Sequence, residues 1–126
     1  MIHFKIKEEI YRMPLLVIIG TWEDKSNYLE KRYNIEISEQ TAFGGFSELL
    51  IGNETSINIL WLPNFDINNI DDIVTLAHEI DHVAFNVFDL MNIPILDNQS
   101  NHAYIYLKEY FLTKALKKLK GAENGN

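Results

Sequence analysis

The feature that most constrains the fold is residues 68–91, which contain neither glycine nor proline. Apolar side chains recur along this stretch at helical intervals. They are Ile73, Val74, Ala77, Ala84, Phe85 and Phe88. Asn68 is a suitable N-cap, and Asp71 and Asp72 fall in the first turn, where the helix dipole favours negative charge. We therefore predict one long helix here, capped by Asn68.

Three residues of this helix form a pattern with a chemical consequence. His78 and His82 are four residues apart, so both imidazoles lie on one helical face, and Glu79 follows the first. In this H-E-x-x-H arrangement two histidines bind Zn²⁺, and the glutamate acts as general base on a zinc-bound water. The alternative is a pair of partly buried histidines that only pack and hydrogen-bond. Burying a His-Glu-His cluster without a metal would be costly, which favours the zinc site.

Composition narrows the possible classes of protein. At 126 residues the chain forms one domain, predicted over residues 1–120 with a frayed tail at 121–126. A net charge of −7 disfavours nucleic acid as a partner, because phosphate binding needs a basic face. The chain has no cysteine, so histidines and carboxylates must supply the metal ligands, and a cytoplasmic location fits. The apolar run 13–20 is too short to span a membrane, and we predict no membrane partner.

Periodicity and turn residues predict the remaining elements. The predicted strands are Ile2–Ile6, Leu15–Gly20, Phe46–Ile51 and Ser56–Leu62. A short helix is predicted over Asp24–Tyr33, capped by Thr21 or Asp24. A second long helix is predicted over Asn101–Lys120, capped by Ser100 or Asn101. A hairpin turn is predicted at residues 52–54, and a loop with Pro94 at residues 92–99. The pair Gly44-Gly45 marks a turn, a bulge or a close backbone approach.

These elements predict an α+β fold. A small, mostly antiparallel sheet of three to four strands packs against two long zinc-bearing helices, with one shorter helix in addition. Leu15–Gly20 is a continuous apolar run, so we expect this strand to be covered on both sides.

A catalytic zinc normally has three protein ligands, so a third ligand has to be found. Phe85 and Phe88 occupy the positions at which a metzincin-like ligand would come after the motif. Asp89 shares the histidine face but lies about 10 Å further along the helix than His82. Asp81 lies off that face and is interpreted as a solvated or helix-anchoring carboxylate.

The last helix supplies the predicted third ligand, His102. By the same three-and-four spacing it shares a face with Tyr106, Glu109 and Thr113. Glu109 is the reserve ligand. Tyr106 is a candidate donor to the oxyanion formed on attack, and the alternative is a core tyrosine. Other candidates are interpreted as structural: His3 as an exposed strand residue, and Trp61 and Tyr104 as core or pocket wall.

Three segments, Ile59–Pro63, Leu76–His82 and Asn101–Leu107, resemble the small zincin-type metallopeptidases encoded by tailed bacteriophages and prophages. The resemblance covers roughly residues 43–115 and implies a compact sheet that backs two zinc-bearing helices. The family tends to have glutamate where His102 stands here, and imidazole is an equally good zinc ligand. In zincins an extended peptide substrate pairs with a sheet edge near the site, which nominates residues 56–62.

The resemblance and the motif imply a zinc-dependent peptide-bond hydrolase, in the host cytoplasm if the chain is phage-encoded. Residues 75–79 are also similar to the ImmA/IrrE-like peptidases that cleave repressors, which often accompany a DNA-binding domain not found here. A different class of function is a zinc-binding interaction or assembly protein that has lost turnover. A metal-free α+β domain with an accidental motif is the third possibility.

Overall fold

A computed structural model of the chain describes residues 1–37, 44–51, 56–95 and 98–123. Within these ranges the elements are β1 (Ile2–Ile6), β2 (Leu15–Ile19), α1 (Trp22–Tyr33), β3 (Phe46–Ile51), β4 (Ser56–Leu62), α2 (Ile70–Leu90) and α3 (Asn98–Glu123). This confirms the α+β class and every predicted strand and helix. Within the described ranges, helices with the length and apolarity needed to cross a membrane are not found.

The four strands form one mixed sheet in the order β1-β2-β4-β3. The outer pairs, β1 with β2 and β3 with β4, are antiparallel. The pairing of β3 with β4 is the one that the predicted hairpin requires. The central pair, β2 with β4, is parallel. This pairing arises because the chain leaves β2, passes through α1 and β3, and returns as β4 in the same direction.

The topology corrects the prediction that residues 56–62 form a binding edge. These residues are β4, which pairs with β2 on one side and with β3 on the other. Both rows of β4 backbone groups are therefore occupied, and an added strand cannot pair with them. The edges of the described sheet are β1 and β3.

The sheet has a buried layer on each face. All five residues of β2 are buried, which confirms that this strand is covered on both sides. Leu15, Val17 and Ile19 pack with the buried residues of α2 and α3. Leu16 and Ile18 pack with Leu29 of α1. The two long helices therefore lie on one face of the sheet and the short helix on the other.

Several predicted boundaries shift. The N-cap of α2 is Asn69, whose side chain accepts a hydrogen bond from the Asp72 backbone N–H, so the prediction of Asn68 was one residue early. Helix α3 begins at Asn98 and ends at Glu123, so it extends beyond the predicted helix at both ends and includes residues 121–123, which were predicted to be part of a frayed tail. Thr21 does cap α1, with Asp24 completing a capping box. The predicted turn at residues 52–54 and the tail beyond residue 123 lie outside the described ranges.

The buried face of α2 also differs in part from the predicted one. Ala84 and Phe88 are fully buried, whereas Val74 and Phe85 are 60% and 53% exposed. The buried stripe is Leu76, Ile80, Val83, Ala84, Val87 and Phe88. Periodicity alone gave the correct element but not its rotation about the helix axis, which depends on the sheet below it.

A lysine is buried between α1 and the sheet. The Lys25 side chain is fully buried, and its Nζ lies 2.7 Å from Glu48 Oε1 on β3. The same Nζ is 4.9 Å from the ring centroids of Phe46 and Trp61. Burial lowers the pKa of Lys25, and the hydrogen bond and charge of Glu48 oppose that shift. Lys25 thus fixes the edge strand β3 from the face opposite α2.

We expect Lys25→Ala to lower the free energy of unfolding by about 3–5 kcal/mol, because it leaves a cavity and an unpaired, mostly buried carboxylate. Lys25→Met, which retains the apolar stem, should cost less. Lys31→Ala, on the exposed face of α1, should change stability by less than about 0.5 kcal/mol. Urea unfolding of the three variants measures this, and equal effects of Lys25→Ala and Lys31→Ala would contradict it.

Candidate functional site

The two motif histidines meet on the exposed face of α2. Their Nε2 atoms are 3.2 Å apart, and their rings are nearly perpendicular, with centroids 4.9 Å apart. Two nitrogens that each lie 2.0–2.1 Å from a tetrahedral zinc are about 3.3 Å from one another. The spacing of His78 and His82 therefore fits a shared zinc ion, and it also fits the hydrogen bond between them that the alternative interpretation predicts. Both histidine side chains are exposed rather than partly buried. The expected cost of burying them without a metal is therefore not an argument for the zinc site.

Glu79 has a different environment from its neighbouring histidines. Its side chain is only 7% exposed and points toward the edge strand β3. There the Ser47 hydroxyl donates a hydrogen bond to Glu79 Oε1 at 3.2 Å. One carboxylate oxygen is thus held by the strand. The arrangement places a buried, oriented carboxylate beside two accessible imidazoles.

The pair Gly44-Gly45 is a close backbone approach, one of the three alternatives left open by the sequence. A Cβ at Gly45 would lie 2.8 Å from Glu79 Cγ and 2.9 Å from Leu62 Cδ2. A Cβ at Gly44 would lie 3.2 Å from Thr75 Cγ2. Because glycine has no side chain, the start of β3 packs directly against α2, and Ser47 reaches Glu79.

A cleft of about 330 Å³ lies between the start of β3 and α2. Its described lining is Gly45, Phe46, Ser47, His78, Glu79, His82 and Asn86. All three motif residues are therefore in one cleft. Asn86 was missed in the sequence, although it is four residues beyond His82 and the spacing that pairs the histidines would have found it.

The structure does not bring His102 and Tyr106 to this cleft. Their rings stack on each other with centroids 6.4 Å apart, and Tyr106 is 66% exposed, so it is not a core tyrosine. Tyr106 lines a separate cavity of about 510 Å³ between α3 and residues 8–11. Within the described ranges, no group of three or more His, Cys, Asp or Glu side chains converges to hold a metal. His102 as third ligand and Tyr106 as oxyanion donor stay predictions, and Glu109 lies exposed on α3.

The rotation of α3 explains these positions. Tyr104 faces α2, where its hydroxyl donates to the Asp81 backbone carbonyl at 3.0 Å and to the Asp81 carboxylate. Lys108 Nζ lies 3.3 Å from the same carboxylate. His102 and Tyr106 are each two residues from Tyr104, about 200° around the helix, so their side chains leave α3 on another side. The interpretation of Asp81 as a helix-anchoring carboxylate is confirmed.

The remaining interpreted residues are structural. Trp61 is buried, and its Nε1–H donates to the Gly20 carbonyl at 2.8 Å. His3 is exposed on β1, with its ring centroid 4.4 Å from that of Tyr28. Neither residue lines the cleft.

Comparison of the chain with protein-family models, with curated proteins and with solved structures gives no match. A functional assignment therefore depends on the motif helix and on the geometry of the cleft.

We expect Gly45→Ala to lower the free energy of unfolding by about 1–3 kcal/mol, because the added Cβ collides with Glu79 Cγ and Leu62 Cδ2. Gly121→Ala is the matched control, since nothing lies within 4 Å of its Cβ position. Gly121 lies in the last turn of α3, so that change should alter stability by less than about 0.5 kcal/mol. Urea unfolding of both variants measures the difference. A Gly45→Ala variant as stable as the wild type would show that β3 does not pack this closely on α2.

We expect Tyr104→Phe to raise the pKa of Asp81. The hydrogen bond from Tyr104 is the largest cause that holds this pKa below its usual value. A lowered folded-state pKa gives stability that is present above the unfolded pKa, about 3.9, and is lost as pH falls through the folded value. Tyr104→Phe should therefore lower the free energy of unfolding at neutral pH. The effect should be much smaller at a pH below both the folded and the unfolded pKa of Asp81. Carboxyl NMR titration and urea unfolding measure this, and Tyr106→Phe should change neither quantity.

Proposed function

We propose that this protein is a zinc-dependent peptide-bond hydrolase of the zincin type, in which His78 and His82 hold the zinc and Glu79 is the general base. The observation that carries the proposal is the 3.2 Å separation of the two Nε2 atoms, in the same cleft as a buried glutamate. A cytoplasmic location, in the host if the chain is phage-encoded, belongs to the same proposal.

The proposed chemistry assigns a separate task to each residue. Zinc, when bound, supplies a positive charge that polarises the scissile carbonyl and makes a water more acidic. Glu79 accepts the proton of the attacking water and passes it to the leaving amine. Ser47, through its hydrogen bond to Oε1, keeps the carboxylate directed along the cleft. His102 as the third ligand and Tyr106 as oxyanion donor stay predictions of the sequence, because neither side chain lies in the cleft in this structure.

The proposed substrate is an extended peptide or protein segment. It would pair with β3, an edge strand of the described sheet that begins at the cleft, rather than with the central strand β4. Such a strand would pass the motif beside Ser47, whose side chain points to α2, whereas the side chain of Phe46 packs on the opposite face of the sheet.

A second candidate is a zinc-binding interaction protein without turnover. It is favoured by one observation, namely that within the described ranges only two metal-binding side chains, His78 and His82, meet at the cleft. Such a protein would hold zinc but would have no use for a buried Glu79. The effect of replacing Glu79 therefore separates the two candidates.

We expect Glu79→Gln to lower the rate of peptide cleavage by about 10²–10⁴-fold, because the amide cannot accept the proton of the attacking water. The zinc content should stay at the wild-type value, since Glu79 is not a ligand. Cleavage of a peptide library, detected by mass spectrometry, and metal analysis of the same samples measure both quantities. Glu30→Gln, on the exposed face of α1, is the matched control.

Wild-type cleavage in the Glu79→Gln variant would contradict the assigned role of the glutamate. A wild-type protein that holds zinc and cleaves nothing would favour the interaction protein instead.

A further inference from the structure

An asparagine is completely buried in the central strand of the sheet. The Asn58 side chain is 0% exposed and lies on the face of β4 that packs against α2. Leu60 and Leu62 lie further along the same face of the strand, and both are buried in the core. The Asn58 Oδ1 accepts a hydrogen bond from Asn86 Nδ2 at 3.2 Å. The Asn58 Nδ2 has no hydrogen-bond partner in the described part of the chain.

Stability does not explain why an asparagine occupies position 58 in the central strand β4. Leaving a buried donor unpaired costs about 1–3 kcal/mol, and an apolar side chain at a central strand position would avoid that cost. Two of the positions nearest to it across the sheet, Leu15 and Leu49, are apolar. The one described hydrogen-bond partner of the Asn58 side chain is Asn86, so what that side chain provides is a fixed orientation of Asn86.

Asn86 stands at the cleft rather than in the core. It lies one helical turn beyond His82, is half-buried, and lines the cleft together with the motif residues. The bond to Asn58 uses one of its two N–H groups. Within the described part of the chain, the other N–H and the Oδ1 oxygen of Asn86 have no hydrogen-bond partner, so both can meet a ligand. A donor and an acceptor side by side are the complement of a peptide group.

We propose that Asn86 hydrogen-bonds the backbone of the substrate beside the scissile bond, and that Asn58 is the positioning residue for Asn86. This inference rests on the proposed function and narrows its substrate class to chains with intact peptide groups next to the cleaved bond. Asn86 also gives the substrate a polar contact within the cleft. Tyr106 lies outside the cleft and does not provide such a contact.

The test is a double-mutant cycle on a peptide that the wild type cleaves. Asn86→Ala should lower kcat/KM about five- to tenfold through loss of one hydrogen bond, with zinc content unchanged. Asn58→Leu should lower kcat/KM by a similar factor while its melting temperature stays equal to the wild-type value or rises. The double variant should lose no more than Asn86→Ala alone, because both changes remove the same contact. Asn27→Ala, exposed on α1, is the control.

A second readout does not depend on turnover. In the Glu79→Gln background, calorimetry with the same peptide should give a Kd weakened about five- to tenfold by Asn86→Ala. Unchanged kcat/KM and Kd in Asn86→Ala, or additive losses in the double variant, would overturn the inference while the hydrolase proposal stands. A wild-type protein that cleaves no peptide would remove the proposed function itself, and the inference with it.

Discussion

The packing of Gly45 against α2 is the contact on which the candidate site depends. It leaves no room for a side chain between the start of β3 and Glu79, and it brings Ser47 within hydrogen-bond distance of the carboxylate. From the opposite face of the sheet, the buried Lys25 holds the same strand through Glu48. An edge strand is ordinarily the least constrained strand of a sheet, because only one side of it is paired. Here it is fixed from both faces at the point where it meets the motif helix.

The elements of the fold could be predicted from the sequence because their signals are local. Alternation and continuous apolar runs gave all four strands, and helical spacing gave α1 and α2 to within a few residues. The order of the strands could not be predicted in this way. The parallel pairing of β2 with β4 joins segments that are distant in the chain, and only the packed sheet shows that residues 56–62 are central. The binding edge was therefore assigned to the wrong strand.

The same distinction applies to the site. His78, Glu79 and His82 lie in one cleft because helix geometry alone fixes their relation. The contribution of α3 depends on its rotation about its own axis, which is set by tertiary contacts such as that of Tyr104 with Asp81. Spacing correctly placed His102 and Tyr106 on one face of α3 but did not show which way that face points. Asn58 gave no signal, because a single asparagine in an apolar strand has meaning only once its partner on α2 is known.

The most direct test of the zinc site is the number of zinc ions per chain, measured by elemental analysis on untagged protein after reconstitution. We predict about one zinc in the wild type, none in the His78→Ala/His82→Ala double variant, and the wild-type content in His3→Ala. His102→Ala, measured in the same series, decides whether α3 supplies the third ligand. A wild-type protein without zinc, or a double variant that retains it, would contradict a zinc site held by the two motif histidines.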